Sequence, residues 1–259
     1  MKITIVNWDA RTESIDAQLE ALAAHVVNSA SEVVLLPEMP FSVWLAASET
    51  YDEERWQASV ALHLRLLARL GGRTSAVIAG SRPVIEAAGE RHNRTFLWRN
   101  DGFLAQPHDK QDLPLESGYW EAAWYSPGPR CAATAGFGGT VFGFLVCTEL
   151  WNRSRAMTLG QQGAHVLLAP RATPDLGSDV WLAGIRSAAV VSGCYVLSSN
   201  FAYPLQEGFT FEGLSAACDP DGTILALCDA HNPFRTVDID ISAAEAAKQT
   251  YPRYIFRGR

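Results

Sequence analysis

The sequence predicts a layered α/β fold whose sheet is mixed. Short apolar runs alternate with stretches of helical period from one end of the chain to the other, which means strands covered by helices. Asn100-Asp101-Gly102 and Asp219-Pro220-Asp221-Gly222 are hairpin turn signals, so some strands are antiparallel. That pairing argues against a pure TIM barrel and against a wholly parallel doubly wound sheet.

The elements follow in order. KITIVN (2–7) is a β-type run, and Ile15, Leu19, Leu22 and Val26 then recur at spacings of four, three and four, one face of a helix. Val33-Val34-Leu35-Leu36 is continuous and apolar, as a strand buried on both faces should be, and Pro37 is its expected stop. A second helix carries Trp56, Val60, Leu64 and Leu67 as its stripe, with Arg69 in its last turn and Gly71-Gly72 beyond. Strands are expected at 76–80 and 94–99, the latter turning at 100–102. Residues 107–130 hold four prolines and no clear period; so long an irregular stretch inside a compact fold is usually functional. Strand 140–146, helix 152–162, strand 165–169, helix 178–192 and strand 194–199 restore the alternation. Two late strands flank 219–222, and a last one, 235–240, precedes a short helix. No linker or repeat divides the 259 residues, so one domain, 1–259, is expected.

Composition narrows the function. With 48% hydrophobic and 19% charged residues the chain is not a disordered one. Its formal charge of −7, without a basic cluster, speaks against a nucleic-acid partner. No run reaches the ~18 apolar residues of a membrane span, and the N-terminus lacks a signal-peptide pattern. Five widely spaced cysteines (131, 147, 194, 218, 228) show no metal-ligand spacing. A reduced, cytoplasmic protein without metal or cofactor is the expectation.

Three polar residues stand out. Glu38 directly follows VVLLP, at the C-terminal end of a strand, where α/β sheets place ligand sites. Lys110 lies in HDKQDLP, inside the irregular stretch. Cys147 ends VFGFLV and precedes TELWN; a thiol at a helix N-terminus has its thiolate favoured by the helix dipole. Each alone has a plain alternative: a cap or ion pair for Glu38, a solvated loop lysine for Lys110, an inert core thiol for Cys147.

Taken together, LLPE (35–38), HDK (108–110) and LVCTE (145–149) resemble the three signatures of the nitrilase superfamily of carbon–nitrogen hydrolases. Order and separations, 72 and 37 residues, are ordinary for that family. HNRTFLW ahead of NDG, Glu121 six residues before Pro127-Gly128, RAMTLGQQGAHVLLAP and GLSAACDPDGTILA extend the likeness over essentially the whole chain. The resemblance implies a four-layer αββα sandwich and a Glu–Lys–Cys triad that cleaves a non-peptide C–N bond of a small amide or carbamoyl compound, releasing ammonia. In that scheme Cys147 attacks and forms a thioester. Glu38 is the general base, and Lys110 lowers the thiol pKa and binds the oxyanion together with the backbone N–H of Thr148. Glu121 holds Lys110 and the substrate nitrogen.

Two departures mark a less typical branch. Asn152-Arg153 stand where many relatives have Phe-Pro, and SAAVVSG replaces an Arg-Ala-x-Glu-Asn helix motif. The rival readings are a nitrilase acting on a small nitrile and a catalytically silent binding protein on the same fold. Thr148, where long nitrilases have Trp, favours an amidase; the complete triad favours an enzyme. A Cys–His hydrolase would need a downstream His with an acidic neighbour, and His165, opening an apolar strand, reads as structural. A homodimer or larger is expected, family members being oligomeric; Tyr251, Tyr254 and Phe256 beside Arg253 and Arg257 suit an interface. Arg171, directly after strand 165–169, either forks a substrate carboxylate or pairs with a structural acid such as Asp175 or Asp179.

Overall fold

The computed structural model describes residues 1–174, 178–202, 211 and 214–256; Asp175, Gly213 and Arg257 lie outside them. The chain begins with β1 (Lys2–Trp8), α1 (Thr12–Ser29), β2 (Val33–Glu38), α2 (Glu53–Gly71), β3 (Val77–Ile85), β4 (Arg91–Arg99) and β5 (Gly102–Ala105). After a short α3 (Glu121–Trp124) come β6 (Thr134–Phe137), β7 (Thr140–Phe144), α4 (Arg153–Gln161), β8 (Val166–Pro170), α5 (Ser178–Ser192) and β9 (Tyr195–Phe201). It closes with β10 (Ala216–Cys218), β11 (Ile224–Leu227), β12 (Phe234–Asp238) and α6 (Ile241–Ala247).

These strands form two mixed sheets. In the first, β1, β2 and β3 run parallel, with β12 antiparallel outside β1 and the β4–β5 hairpin antiparallel outside β3. In the second, β7, β8 and β9 run parallel, flanked by β6 on one side and by β10 and β11 on the other. The alternating side chains of each strand explain the stacking. Ile3, Ile5, Val33 and Leu35 face Phe142, Phe144, Val166 and Leu168 between the sheets. Val34, Leu36 and Ile78 point outward onto Leu19 and Leu22 of α1 and Leu67 of α2. Leu167 and Val196 point the other way, onto Leu159 of α4 and Ile185 of α5. The layers are therefore α, β, β, α, as the resemblance implied.

The sheets are stitched together where parallel strands end. The tip of β1 pairs with the tip of β9 at Asn7–Asn200 and Trp8–Phe201. Ser199 Oγ accepts the Val6 N–H at 3.0 Å and donates to the Leu35 carbonyl at 2.7 Å. The C-terminal ends of β2 and β7 open onto the same end of the sandwich, and there the motif residues emerge.

Several local expectations need correction. Pro37 does not stop its strand; β2 runs through it to Glu38, with an irregular register against β3 after Leu35. Pro costs a ladder donor only where one is needed, and the pairing has already slipped at that point. The buried stripe of α2 is rotated from the predicted one: Leu64 is 38% exposed, while Ser59 and His63 are buried. Counting only apolar residues hides a polar pair inside a core stripe. The irregular stretch contains α3, too short for periodicity to reveal, and β6 pairs with β7 without having been predicted.

Candidate active site

Glu38 occupies the last position of β2. Its N–H donates to the Arg171 carbonyl at 3.3 Å, and the next residue, Met39, takes a left-handed backbone with φ 45°. Cys147 mirrors it in the second sheet: it opens a 3-10 helix, Cys147–Trp151, with φ 52°. Left-handed geometry is uncommon for a residue with a side chain and concentrates at functional sites. Lys110 is brought in by β-type pairing beyond the end of β5. The Thr95 N–H bonds the His108 carbonyl at 2.8 Å and the Lys110 N–H bonds the Asn93 carbonyl at 2.9 Å. Asp109, on the opposite face, forks onto Arg94 at 2.7 and 2.9 Å. The alternation thus turns His108 and Lys110 to one side, Asp109 to the other.

The four predicted side chains meet in a fully enclosed cluster: Glu38, Lys110 and Glu121 are wholly buried and Cys147 is 2% exposed. Lys110 Nζ donates to Glu38 Oε1 at 2.8 Å and to Glu121 Oε2 at 2.5 Å. Tyr125, the residue that follows α3, donates its hydroxyl to the same Glu121 Oε2. Asn93 Nδ2 donates to Glu38 Oε1 at 2.6 Å. Among the described residues Glu38 Oε2 and Glu121 Oε1 have no hydrogen-bond partner. The Cys147 thiol lies beside the Glu38 carboxyl, and Sγ is 3.9 Å from the Ala172 carbonyl oxygen.

Burial governs the ionisation of this cluster. It pushes the Glu38 carboxyl up to about 7, with Lys110 opposing the rise and Glu121 adding to it. It also opposes the Lys110 charge, but Glu121 and Glu38 more than offset that, and the ammonium is held above its ordinary range. The Cys147 thiol is pushed well up by burial and by Glu38, against the pull of Lys110. Lys110 therefore acts in the direction expected of it without winning: near neutrality the sulfur keeps its proton. An adjacent carboxyl titrating near 7 is the group placed to remove it.

The other predicted positions are less central to the cluster. Thr148 lies in the first turn of the 3-10 helix, where N–H groups have no partner inside the helix; its hydroxyl donates to the Asp112 carbonyl at 2.6 Å. Arg171 is wholly buried, with Nε donating to Ser198 Oγ at 2.6 Å, Nη1 to Thr173 Oγ1 at 3.0 Å, and Nη2 to the Leu214 carbonyl. Its guanidinium also stacks 5.1 Å from the centre of the Trp181 ring. These bonds engage all three nitrogens with protein groups. His165 Nδ1 accepts the Val141 N–H at 3.0 Å, a bond within the second sheet. No group of acidic, His or Cys side chains able to hold a metal occurs among the described residues. Nor is any described helix long and apolar enough to cross a membrane.

Sequence reasoning missed Tyr125, His108 and Glu149 as parts of this centre, and assigned no role to Asn93. The last three stand inside the quoted motifs, HNR, HDK and CTE; only their buried bonds distinguish them from neighbours.

The family model for carbon-nitrogen hydrolases matches residues 2–249. The chain belongs to that family. This carbon–nitrogen hydrolase is 24% identical over 253 residues to an (R)-stereoselective amidase of Pseudomonas sp., covering 97% of the chain and 89% of the relative. It is equally distant from nitrilase homolog 2 of Dictyostelium discoideum, 24% over 263 residues, covering 97% and 78%. Its fold matches a carbon–nitrogen hydrolase from Helicobacter pylori G27 with a TM-score of 0.87 at 18% identity, covering 100% and 95% of the two chains. It matches an amidase from Nesterenkonia sp. with 0.78 at 22%, covering 95% and 92%. The hydrolase thus sits among amidase-like enzymes at low identity.

Proposed function

We propose that this enzyme hydrolyses a small amide or carbamoyl compound through a thioester on Cys147, releasing ammonia. The observation that carries the reading is the enclosed cluster in which one lysine is held by two glutamates beside a thiol. Glu38 Oε2 takes the thiol proton as Sγ bonds to the carbonyl carbon. Lys110 Nζ and the Thr148 N–H then face the oxygen as it gains negative charge. Glu121 Oε1 accepts from the substrate NH2. Collapse breaks the C–N bond, and the nitrogen leaves as ammonia with the proton from Glu38. Water, losing a proton to the same carboxylate, attacks the thioester; the acid departs and the sulfur recovers its proton.

The protonated resting thiol fits this order, because Glu38 is needed at both halves of the cycle. Support also comes from the relatives: a variant of the Nesterenkonia sp. amidase carries acrylamide on its active-site cysteine, and another carries the acetamide moiety of fluoroacetamide. The test is Cys147→Ala together with intact mass of the unaltered enzyme during turnover. Ammonia release is followed over a panel of amides, carbamoyl amino acids and nitriles. The expectation is an acyl adduct on Cys147 and loss of at least 10²-fold in kcat for the variant. A variant keeping a tenth of the activity overturns the mechanism.

The same proposal includes a homodimer or larger assembly. Tyr251 and Tyr254 are 71% and 54% exposed, as an interface would leave them in a lone chain. Arg253 is not part of that surface: it is buried, and its Nη2 donates to Asp221 at 2.8 Å. Sedimentation showing a monomer at micromolar concentration removes this part of the proposal.

A further inference from the structure

Glu149 is wholly buried and ionisable, yet it takes no part in the chemistry above. Its Oε2 accepts the Val146 N–H at 2.8 Å, and its Oε1 accepts the Gln111 N–H at 2.8 Å. His108 Nε2 lies 3.0 and 2.8 Å from the two oxygens. Val146 immediately precedes the nucleophile, Gln111 immediately follows Lys110, and His108 stands two residues before Lys110. One carboxylate therefore joins the loop carrying the thiol to the loop carrying the ammonium.

The first bond has a local cause. Glu149 is the third residue of the 3-10 helix, and from there it reaches back to the N–H of the capping residue, one half of a capping box. The other bonds have no local cause, because Lys110 hangs on the edge of β4 in the first sheet and Cys147 follows β7 in the second. Among the described residues no regular hydrogen-bond ladder sets the distance between those two strand ends. Arg155, from α4, completes the arrangement. Its Nη1 is 3.4 Å from His108 Nδ1, its Nη2 donates to the Gln111 side-chain oxygen, and Nη1 also donates to the Cys131 carbonyl at 3.3 Å. Because the ionised Glu149 oxygens only accept, the His108 Nε2 facing them carries a proton and donates it to Glu149. Burial opposes the Glu149 charge, but His108, Arg155 and the Gln111 N–H more than offset it, so the carboxyl is held below its ordinary range.

We infer that Glu149, with His108 as its partner, is a positioning residue that sets the spacing between the Lys110 ammonium and the Cys147–Thr148 turn. This rests on the reading under Proposed function, in which those groups together receive the oxyanion. Such a cradle works only when its donors are held to a fraction of an ångström, and a 1 Å misplacement costs on the order of 10²-fold.

The test uses Glu149→Gln, His108→Gln and His108→Ala in the full chain. In Glu149→Gln one accepting oxygen becomes an NH2, which must confront an N–H donor of one loop or the other. In His108→Gln the amide keeps a donor for Glu149. Each variant is assayed on the small amide turned over fastest in the panel above, and Cys147 alkylation by iodoacetamide is measured in parallel. The expected result for Glu149→Gln and His108→Ala is a loss of about 10²-fold in kcat with KM changed less than threefold. Alkylation, which develops no oxyanion, should slow less than tenfold. His108→Gln should stay within about fivefold of the unaltered enzyme. A kcat within threefold in both severe variants, or a fall in KM-dependent binding alone, overturns the inference. So does an equal loss in His108→Gln and His108→Ala. Where Glu149→Gln fails to fold, the two His108 variants decide. Cys147→Ala retaining turnover would instead overturn the underlying mechanism, so the two failures are distinct.

Discussion

Asn93 donates from Nδ2 to Glu38 Oε1 over 2.6 Å, the same oxygen that Lys110 holds at 2.8 Å. Two donors on one oxygen leave Oε2, which has no partner among the described residues, as the basic atom. Burial pushes the carboxyl up to about 7. The carboxylate is the active form, so kcat/KM should rise with pH through about 7 and lose tenfold per unit below it. Asn93→Ala removes a bond that favours the charged form, so this acid limb should move to higher pH. A pH profile of kcat/KM in which the variant's limb stays in place would show that Asn93 does not tune the base.

Gly128 packs directly on the lysine segment. Its N–H bonds the Lys110 carbonyl at 3.0 Å, and a Cβ there would lie 2.4 Å from Asp109 Cβ and 2.6 Å from the Asp109 oxygen. Backbone must shift to admit it. Gly128→Ala should therefore cost roughly 1–3 kcal/mol of stability and at least tenfold in kcat. Gly136→Ala, where a Cβ meets nothing within 4 Å, is the control and should change neither. Thermal melts and steady-state rates on both variants check this.

His63 makes stability depend on acid. It is wholly buried, Nδ1 donates to the Ser59 carbonyl at 2.7 Å, and Nε2 accepts the Phe41 N–H at 3.3 Å. Burial lowers its pKa from 6.5 to about 4. The unfolded chain binds this proton first as pH falls, so the contribution is complete above about 6.5 and disappears progressively toward pH 4. Between pH 7 and 4.5 the unfolding free energy should drop by roughly 2 kcal/mol more in the natural chain than in His63→Gln. Parallel slopes in urea titrations across that range would contradict it.

Arg171 is bonded through all three guanidinium nitrogens to protein groups. With these bonds and its stacking on Trp181, the buried guanidinium reads as a structural group. Arg171→Met should therefore lower kcat/KM equally on an acidic amide and on its neutral analogue, and lower stability by roughly 2 kcal/mol through unsatisfied buried acceptors. A loss of 10²-fold confined to the acidic amide would assign the guanidinium to the substrate instead.

The order of elements was legible in the sequence for a local reason: continuous apolar runs such as Val33–Leu36 mark strands buried on both faces. Glu38 and Cys147 stand at the ends of such runs, but Lys110 lies in an irregular loop, and the three stood out only through the joint resemblance of LLPE, HDK and LVCTE to one family. Tertiary structure decided what pattern alone cannot encode. Pro37 stays in its strand because the register has already slipped there, and Ser59 and His63 lie on the buried face of α2 while Leu64 does not. The Cys147 thiol keeps its proton because burial outweighs the nearby lysine, a balance that depends on how completely the cluster is enclosed. Glu149 and His108 stood in plain view inside the motifs. Their bond spans 41 positions and links loops carried by different sheets, a pairing that only the packing of one sheet on the other creates.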